Sequence, residues 1–261
     1  MRSAAKIISI VLAFSGFSGR ANAEFFQVPS LNDLVTPSLQ REAVRLIGVL
    51  SAHRPYQPAT PLGLALGLEA TLETSLVQVP QAFFDELAAL GVGGSFDLRT
   101  LPVAKLHVHK GILSNVDLGA SYLGFQGVRI YGADLKWTFL QPEEGPTWAL
   151  RLCYSQSSIR YFSTNSWSPQ LLVSRRLHFA DAYLGAEYTA MTGRIRGTET
   201  VNTPGGPVTT SLDVSGIRAR SGSAFLGLGL RLPVLGLKAS IEGAYSFVKA
   251  HSLGASLGIS W

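Results

Sequence analysis

Apolar and small polar residues alternate strictly along the last positions of the chain. Leu253, Ala255, Leu257, Ile259 and Trp261 fall on one face, and the residues between them are serine or glycine. A period of two predicts a β-strand with one apolar face. A final strand that ends on an aromatic residue is typical of outer-membrane barrels, where the ring lies at the headgroup level. We therefore interpret Leu257, Ile259 and Trp261 as an assembly signal.

The same alternation recurs along the chain after residue 60. Between Leu62 and Leu72 every second residue is apolar, and similar segments fall at 98–110, 115–124, 128–140, 147–156, 168–179, 181–192, 220–231, 235–248 and 251–261. Each is long enough for a tilted strand to cross a bilayer. Residues 60–261 are therefore predicted to form an all-β, antiparallel transmembrane β-barrel of about ten strands, with eight or twelve as alternatives.

Aromatic residues on the predicted outward face form two groups. Tyr122, Tyr131 and Tyr154 would lie near one rim, and Trp137 and Trp261 near the other. A soluble β-sandwich also alternates, but it has no physical reason to carry two aromatic belts. The pattern favours the membrane barrel.

Three longer connections interrupt the predicted strands, at 74–95, 157–167 and 193–219. The first contains a predicted helix at 81–90, opened by Pro80 and closed by Gly91. It is expected to pack over the barrel rim or to contact outer-leaflet lipid. The third, with Pro204 and Gly205, is expected to be a mobile or hairpin-like extracellular loop.

The first 59 residues follow a different pattern. Residues 1–23 place Arg2 and Lys6 before an apolar run and end in Ala-Asn-Ala, which predicts a signal peptide and export to the outer membrane. Thr36 and Pro37 then begin a predicted amphipathic helix over about 37–51. Residues 24–59 are expected to form a helical segment that acts as a periplasmic cap or plug. The cap is favoured, because a narrow polar lumen would not accept a leucine-rich stripe.

Composition excludes several classes of function. Three of the 22 basic residues leave with the predicted signal peptide, so 19 remain beside 17 acidic residues. With that balance and no basic run, no nucleic acid partner is expected. The single cysteine, Cys153, rules out an internal disulfide and a cysteine-based metal cluster.

The inward face of the predicted barrel carries charges of both signs. They either satisfy one another or line a water-filled selective pathway, and the small bore of such a barrel favours the first alternative. The predicted lumen-facing residues are Glu69, Glu73, Lys105, His107, His109, Asp117, Asp134, Lys136, Arg151, Arg176, Glu187, Arg231, Lys238 and Glu242.

Two of these residues, His107 and His109, share one strand face. Their spacing would suit a metal, but no cysteine or third histidine lies near them in sequence, so a structural or rim role is expected and no metal. No catalytic or cofactor-binding residue is predicted.

The block Leu101-Pro-Val-Ala-Lys-Leu-His-Val-His-Lys-Gly111, followed by 116–122 and 132–137, resembles an uncharacterised family of exported Gram-negative barrels. A looser likeness is to long-chain fatty-acid channels, which have more strands. The resemblance implies an outer-membrane barrel with an N-terminal helical segment and transfers no catalytic residues.

The expected function is porin-like: passive transport of a small or hydrophobic solute. A structural or adhesive envelope protein without a pore is the alternative, and an outer-membrane protease or lipid-modifying enzyme is a second alternative. Outer-membrane lipid, lipopolysaccharide and the barrel-assembly machinery are the expected partners, and no cofactor is expected.

Overall fold

The computed structural model describes residues 36–64, 67–79, 100–125, 127–203, 206–232, 236–248 and 250–261. Within these residues one helix precedes ten strands, each strand pairs antiparallel with its neighbours, and β1 also pairs with β10, so the sheet closes into a barrel. The predicted ten-stranded antiparallel barrel with an N-terminal helix is confirmed. The elements are α1 (Pro37–Ser51), β1 (Leu68–Gln78), β2 (Thr100–Leu113), β3 (Val116–Phe125), β4 (Val128–Leu140), β5 (Thr147–Ile159), β6 (Phe162–Arg176), β7 (Ala180–Thr203), β8 (Gly206–Leu232), β9 (Leu237–Ser246) and β10 (His251–Ser260).

Burial follows the alternation of the sequence. On β2, Leu106 and Val108 point outward and are 53% and 44% exposed, while His107 between them is fully buried. Large apolar side chains cover the outside of the other strands in the same way. Such a surface is unfavourable in water and favourable in lipid, so the barrel spans a membrane. Among the described residues, no helix is both long and apolar enough to cross a membrane.

Outward aromatic rings contact one another near both ends of the barrel. Tyr122 and Tyr131 lie 5.3 Å apart beside the β3–β4 turn, and Trp137 and Phe139 lie 5.8 Å apart at the opposite end. The C-terminal residue closes the seam, because Trp261 N donates to Leu68 O at 2.8 Å and accepts at its own carbonyl from Leu68 N at 3.2 Å.

One connection differs from the sequence prediction, and a second takes the hairpin form that was one of its two expected forms. β5 and β6 are joined by a tight turn at Arg160, where φ is 49°, so the predicted long connection at 157–167 is wrong. The 193–219 stretch is a long hairpin that extends β7 and β8, and Thr200 pairs with Thr209 across it at 2.9 Å. Ile195 and Leu212 lie on one face of this hairpin and join the interior apolar cluster, but glycine, proline and charged residues interrupt the alternation by which the other strands were recognised. The predicted signal peptide, residues 24–35 and the predicted helix at 81–90 lie outside the described residues.

The N-terminal helix lies inside the barrel. The prediction that it caps the periplasmic mouth is wrong. Its buried face packs against inward residues at the strand ends farthest from Leu68 and Trp261, namely Val77, Val103, Ile130, Phe162, Met191 and Ile195. The long β7–β8 hairpin extends from the end opposite Leu68, as extracellular loops do in such barrels, so α1 lies towards the outer mouth. The interior is apolar at this end, whereas the prediction assumed a polar lumen along its full length.

Candidate functional site: the plug and the charged lumen

Residues 36–64, which we call the plug, comprise α1 and an extended segment at 52–64. The extended segment runs down the lumen to β1 and pairs with no described strand. Wall side chains satisfy its backbone instead. Lys105 Nζ donates to Ala52 O at 2.5 Å, and Thr138 Oγ1 donates to Ala59 O at 2.7 Å. Buried backbone polar groups need such partners, so these contacts fix the path of the segment.

A buried ion pair holds the lower end of the plug. Lys136 Nζ lies 2.9 Å from Asp117 Oδ2 and donates to Pro58 O and Thr60 O at 3.2 and 2.8 Å. Asp117 in turn accepts from Leu62 N at 3.1 Å through either carboxylate oxygen. Lys136 therefore binds carbonyl groups of the plug backbone and Asp117 binds an amide group, so the pair holds residues 58–62 in place.

A second anchor comes from the plug itself. Arg54 Nη2 donates to Glu187 Oε1 at 2.6 Å, and Nη1 donates to Ser252 Oγ at 2.8 Å. Glu187 also accepts from Ser223 Oγ at 2.6 Å and from Gln170 Nε2 at 2.9 Å. The carboxylate is buried and saturated with donors, and Arg54 is its cationic partner.

Gln57 joins the plug to another wall pair. Its Nε2 donates to Glu69 Oε1 at 2.8 Å, and Lys238 Nζ lies 2.7 Å from Glu69 Oε2. The plug thus contacts charged residues of β1, β2, β3, β4 and β7.

Three histidines meet between the plug and the wall. His53 Nε2 lies 2.5 Å and His109 Nε2 3.1 Å from the same oxygen, Asp134 Oδ1, and His107 Nε2 contacts Glu73 Oε2. One nitrogen of each ring lies within 4.8 Å of one nitrogen of each other ring. The histidines are buried. His53 belongs to the plug rather than to a spanning strand, and burial lowers its pKa to about 4, which favours a neutral imidazole.

A third histidine, which does not lie near His107 and His109 in sequence, therefore joins them in the folded chain. His53 was missed because it is 81 residues from Asp134 in sequence and belongs to a segment assigned to the periplasm. One feature of the sequence could have found it. His53 comes just after the predicted helix, so its side chain would reach the lumen if that helix entered the barrel.

The structure places the other predicted lumen residues as follows. All are buried in the barrel except Arg176 and Arg231, whose side chains are 64% and 42% exposed. These two flank Asp181 at the periplasmic mouth, at 3.5 and 3.1 Å. Arg151 lies 3.7 Å from Asp134, and Glu242 accepts from Tyr183 at 3.0 Å.

The fold and this interior define the class of protein: a plugged, membrane-spanning β-barrel of the outer-membrane type. The outer-membrane protease OmpT from Escherichia coli is similar at a TM-score of 0.40 and 11% identity, over 74% of this chain and 96% of that one. Neisserial surface protein A matches at 0.32 and 8%, over 74% and 97%. The N-terminal barrel domain of OprF from Pseudomonas aeruginosa matches at 0.30 and 12%, over 74% and 97%.

These likenesses are too distant to show what this protein does. No protein-family model matches the chain, and no curated protein matches it in sequence.

Proposed function

We propose that the protein is a gated channel that passes a small solute across the outer membrane when the plug moves. The observation that carries the proposal is the way the lumen is filled. A barrel of about eight strands is already filled by its own side chains, so ten strands leave a bore. Here a separate segment, continuous with the wall only through β1, occupies that bore.

The contacts of the plug support movement over a permanent structural role. Its extended part is held by hydrogen bonds and ion pairs from Lys105, Lys136, Asp117 and Glu187, all of which water can replace. A purely structural core would be at least as stable with apolar residues, because buried ion pairs return little net free energy. The charged lumen therefore favours a pathway that is wet when open.

The same charges indicate the class of solute. The lower lumen carries carboxylates and cations close together, including Glu69 with Lys238 and Asp134 near Arg151. A wet, mixed-charge lumen suits a small polar solute better than a long hydrophobic one.

A reversible cross-link between α1 and β7 tests the proposal. A Cβ on Gly48 would lie 2.9 Å from Met191 Cγ, so Met191 Cβ is within about 4.4 Å of it, which suits a disulfide. Gly48→Cys with Met191→Cys would be made in a Cys153→Ser background, and Met191→Cys alone in that background is the matched control, because a Cβ on Gly48 would clash with Met191 Sδ if Met191 were kept.

Conductance in planar bilayers is measured before and after reduction. We expect the oxidised double variant to be silent, and the reduced form to open as often as the Cys153→Ser parent. Equal conductance in both redox states would show that the plug does not gate the pathway. A parent and a reduced double variant that never conduct would favour the structural role.

A further inference from the structure

We propose that His53, His107 and His109 bind one divalent transition-metal ion, with Zn²⁺ the best match, at the junction of the plug and the barrel wall. This site is independent of any transport function. It is carried by the meeting of three buried imidazoles from two different parts of the chain.

The donor geometry suits zinc. Zinc binds imidazole nitrogen at roughly 2.0–2.1 Å, so tetrahedral ligand atoms lie about 3.3 Å apart. One nitrogen of each histidine lies within 4.8 Å of one nitrogen of each of the other two, so side-chain rotations that shorten these separations by up to about 1.5 Å would bring them to that spacing. Imidazole is a ligand for Zn²⁺, Cu²⁺ and Ni²⁺, whereas Mg²⁺ and Ca²⁺ prefer oxygen.

Two ring nitrogens of the cluster have no hydrogen-bond partner within the described part of the chain. These are Nδ1 of His107 and Nδ1 of His109, both buried. An unsatisfied buried polar atom costs about 1–3 kcal/mol. Coordination to a metal would give each nitrogen the partner it lacks. His53 would supply the third ligand by giving up one of its two hydrogen bonds, from Nδ1 with Ser121 Oγ at 2.7 Å or from Nε2 with Asp134 Oδ1 at 2.5 Å.

The groups that contact these histidines resemble those that contact the ligands of known metal sites. Metal-binding histidines usually direct their other nitrogen to a carboxylate, which orients the ring. Here Nε2 of His107 contacts Glu73, and Nε2 of His109 lies 3.1 Å from Asp134. Lys105 lies 3.9 Å from Glu73, and Arg151 lies 3.7 Å from Asp134. At these distances neither cation takes the place of the imidazole that contacts the same carboxylate.

The site exists only when the plug is in the lumen. His53 lies on the plug, and His107 and His109 lie on β2. A metal bound there would join the plug to the wall, and removing His53 would leave only two of the three ligands.

The test uses the full chain refolded in detergent with Zn²⁺ present, so that the metal need not pass a closed plug. Bound metal is measured by elemental analysis after dialysis, and Co²⁺ is substituted to record the absorption bands of tetrahedral coordination. Variants are His53→Gln and Glu73→Gln, with His178→Gln as matched control, because His178 is an exposed histidine outside the cluster. Heat-dependent gel mobility confirms that each variant folds.

We expect one Zn²⁺ per chain in the wild type and in His178→Gln. Affinity should fall about 10- to 100-fold in Glu73→Gln and at least as much in His53→Gln. A folded wild type without stoichiometric Zn²⁺, or undiminished binding in His53→Gln, would overturn the proposal. Binding is measured without conductance, so failure of the channel proposal would leave this result interpretable. Because His53 belongs to no strand, His53→Gln leaves every strand pairing of the barrel in place, and we expect it to fold even if a wall variant does not.

Discussion

Arg54→Met tests whether charge pairing holds the plug in the lumen. The change keeps most of the side-chain volume and removes the guanidinium, which lies 2.6 Å from Glu187 and 2.8 Å from Ser252. The Glu187 side chain is only 3% exposed, so its charge would stay buried after Arg54 is lost.

The expected magnitude follows from the remaining partners. Removing one member of a buried ion pair costs about 3–5 kcal/mol. Glu187 keeps hydrogen bonds from Ser223 and Gln170, at 2.6 and 2.9 Å, which favours the lower end of that range. A loss of about 3 kcal/mol shifts the equilibrium between the bound and released plug by roughly 150-fold.

The assay is the open probability of single barrels in planar bilayers. We expect Arg54→Met to raise it about 100-fold. The double variant Arg54→Met with Glu187→Gln should open less often than Arg54→Met alone, because no uncompensated charge remains buried. The matched control is Arg194→Met, which breaks an ion pair with Asp213 whose side chains are 45% and 50% exposed. A surface pair of this kind contributes little, so that variant should behave as the wild type.

The reasoning would be refuted if Arg54→Met opened no more often than Arg194→Met. Strictly additive effects of the two substitutions at Arg54 and Glu187 would also contradict it, because the pair would then not be coupled.

Three further outcomes are expected. Trp261→Asp, or deletion of Ser260 and Trp261, should block assembly at the seam, because a charge at the lipid boundary costs up to a few kcal/mol and the deletion removes the terminal aromatic residue. Normal outer-membrane levels of either variant would contradict this. Deleting 24–55 should leave the barrel folded but raise conductance, since it removes α1 and both His53 and Arg54; unchanged conductance would mean that this part of the chain does not block the lumen. Zn²⁺ should lower the open probability of the wild type about tenfold or more, and a chelator should reverse this. His53→Gln should be insensitive to both, and an equal Zn²⁺ response in that variant would place the effect elsewhere in the protein.

Local sequence pattern was sufficient for the wall of the barrel. A period of two is a property of neighbouring residues, so the outward Leu106 and the inward His107 could be assigned before any contact was known. The helix at 37–51 followed from the same kind of local signal. The β7–β8 hairpin was expected only as one of two forms of a loop, because glycine, proline and charged residues interrupt the alternation in that stretch.

The interior depended on the tertiary structure. Val103 and Ile130 point inward at the outer end of the barrel, and they provide an apolar chamber that alternation alone does not reveal. That chamber admits α1, and α1 in turn carries His53 and Arg54 to wall residues that are 81 and 133 positions away in the chain. The sequence by itself determined which residues face lipid and which face inward, because that choice depends on backbone period. Only the closed barrel decided which inward residues meet one another, because contacts across a lumen have no local period in the chain.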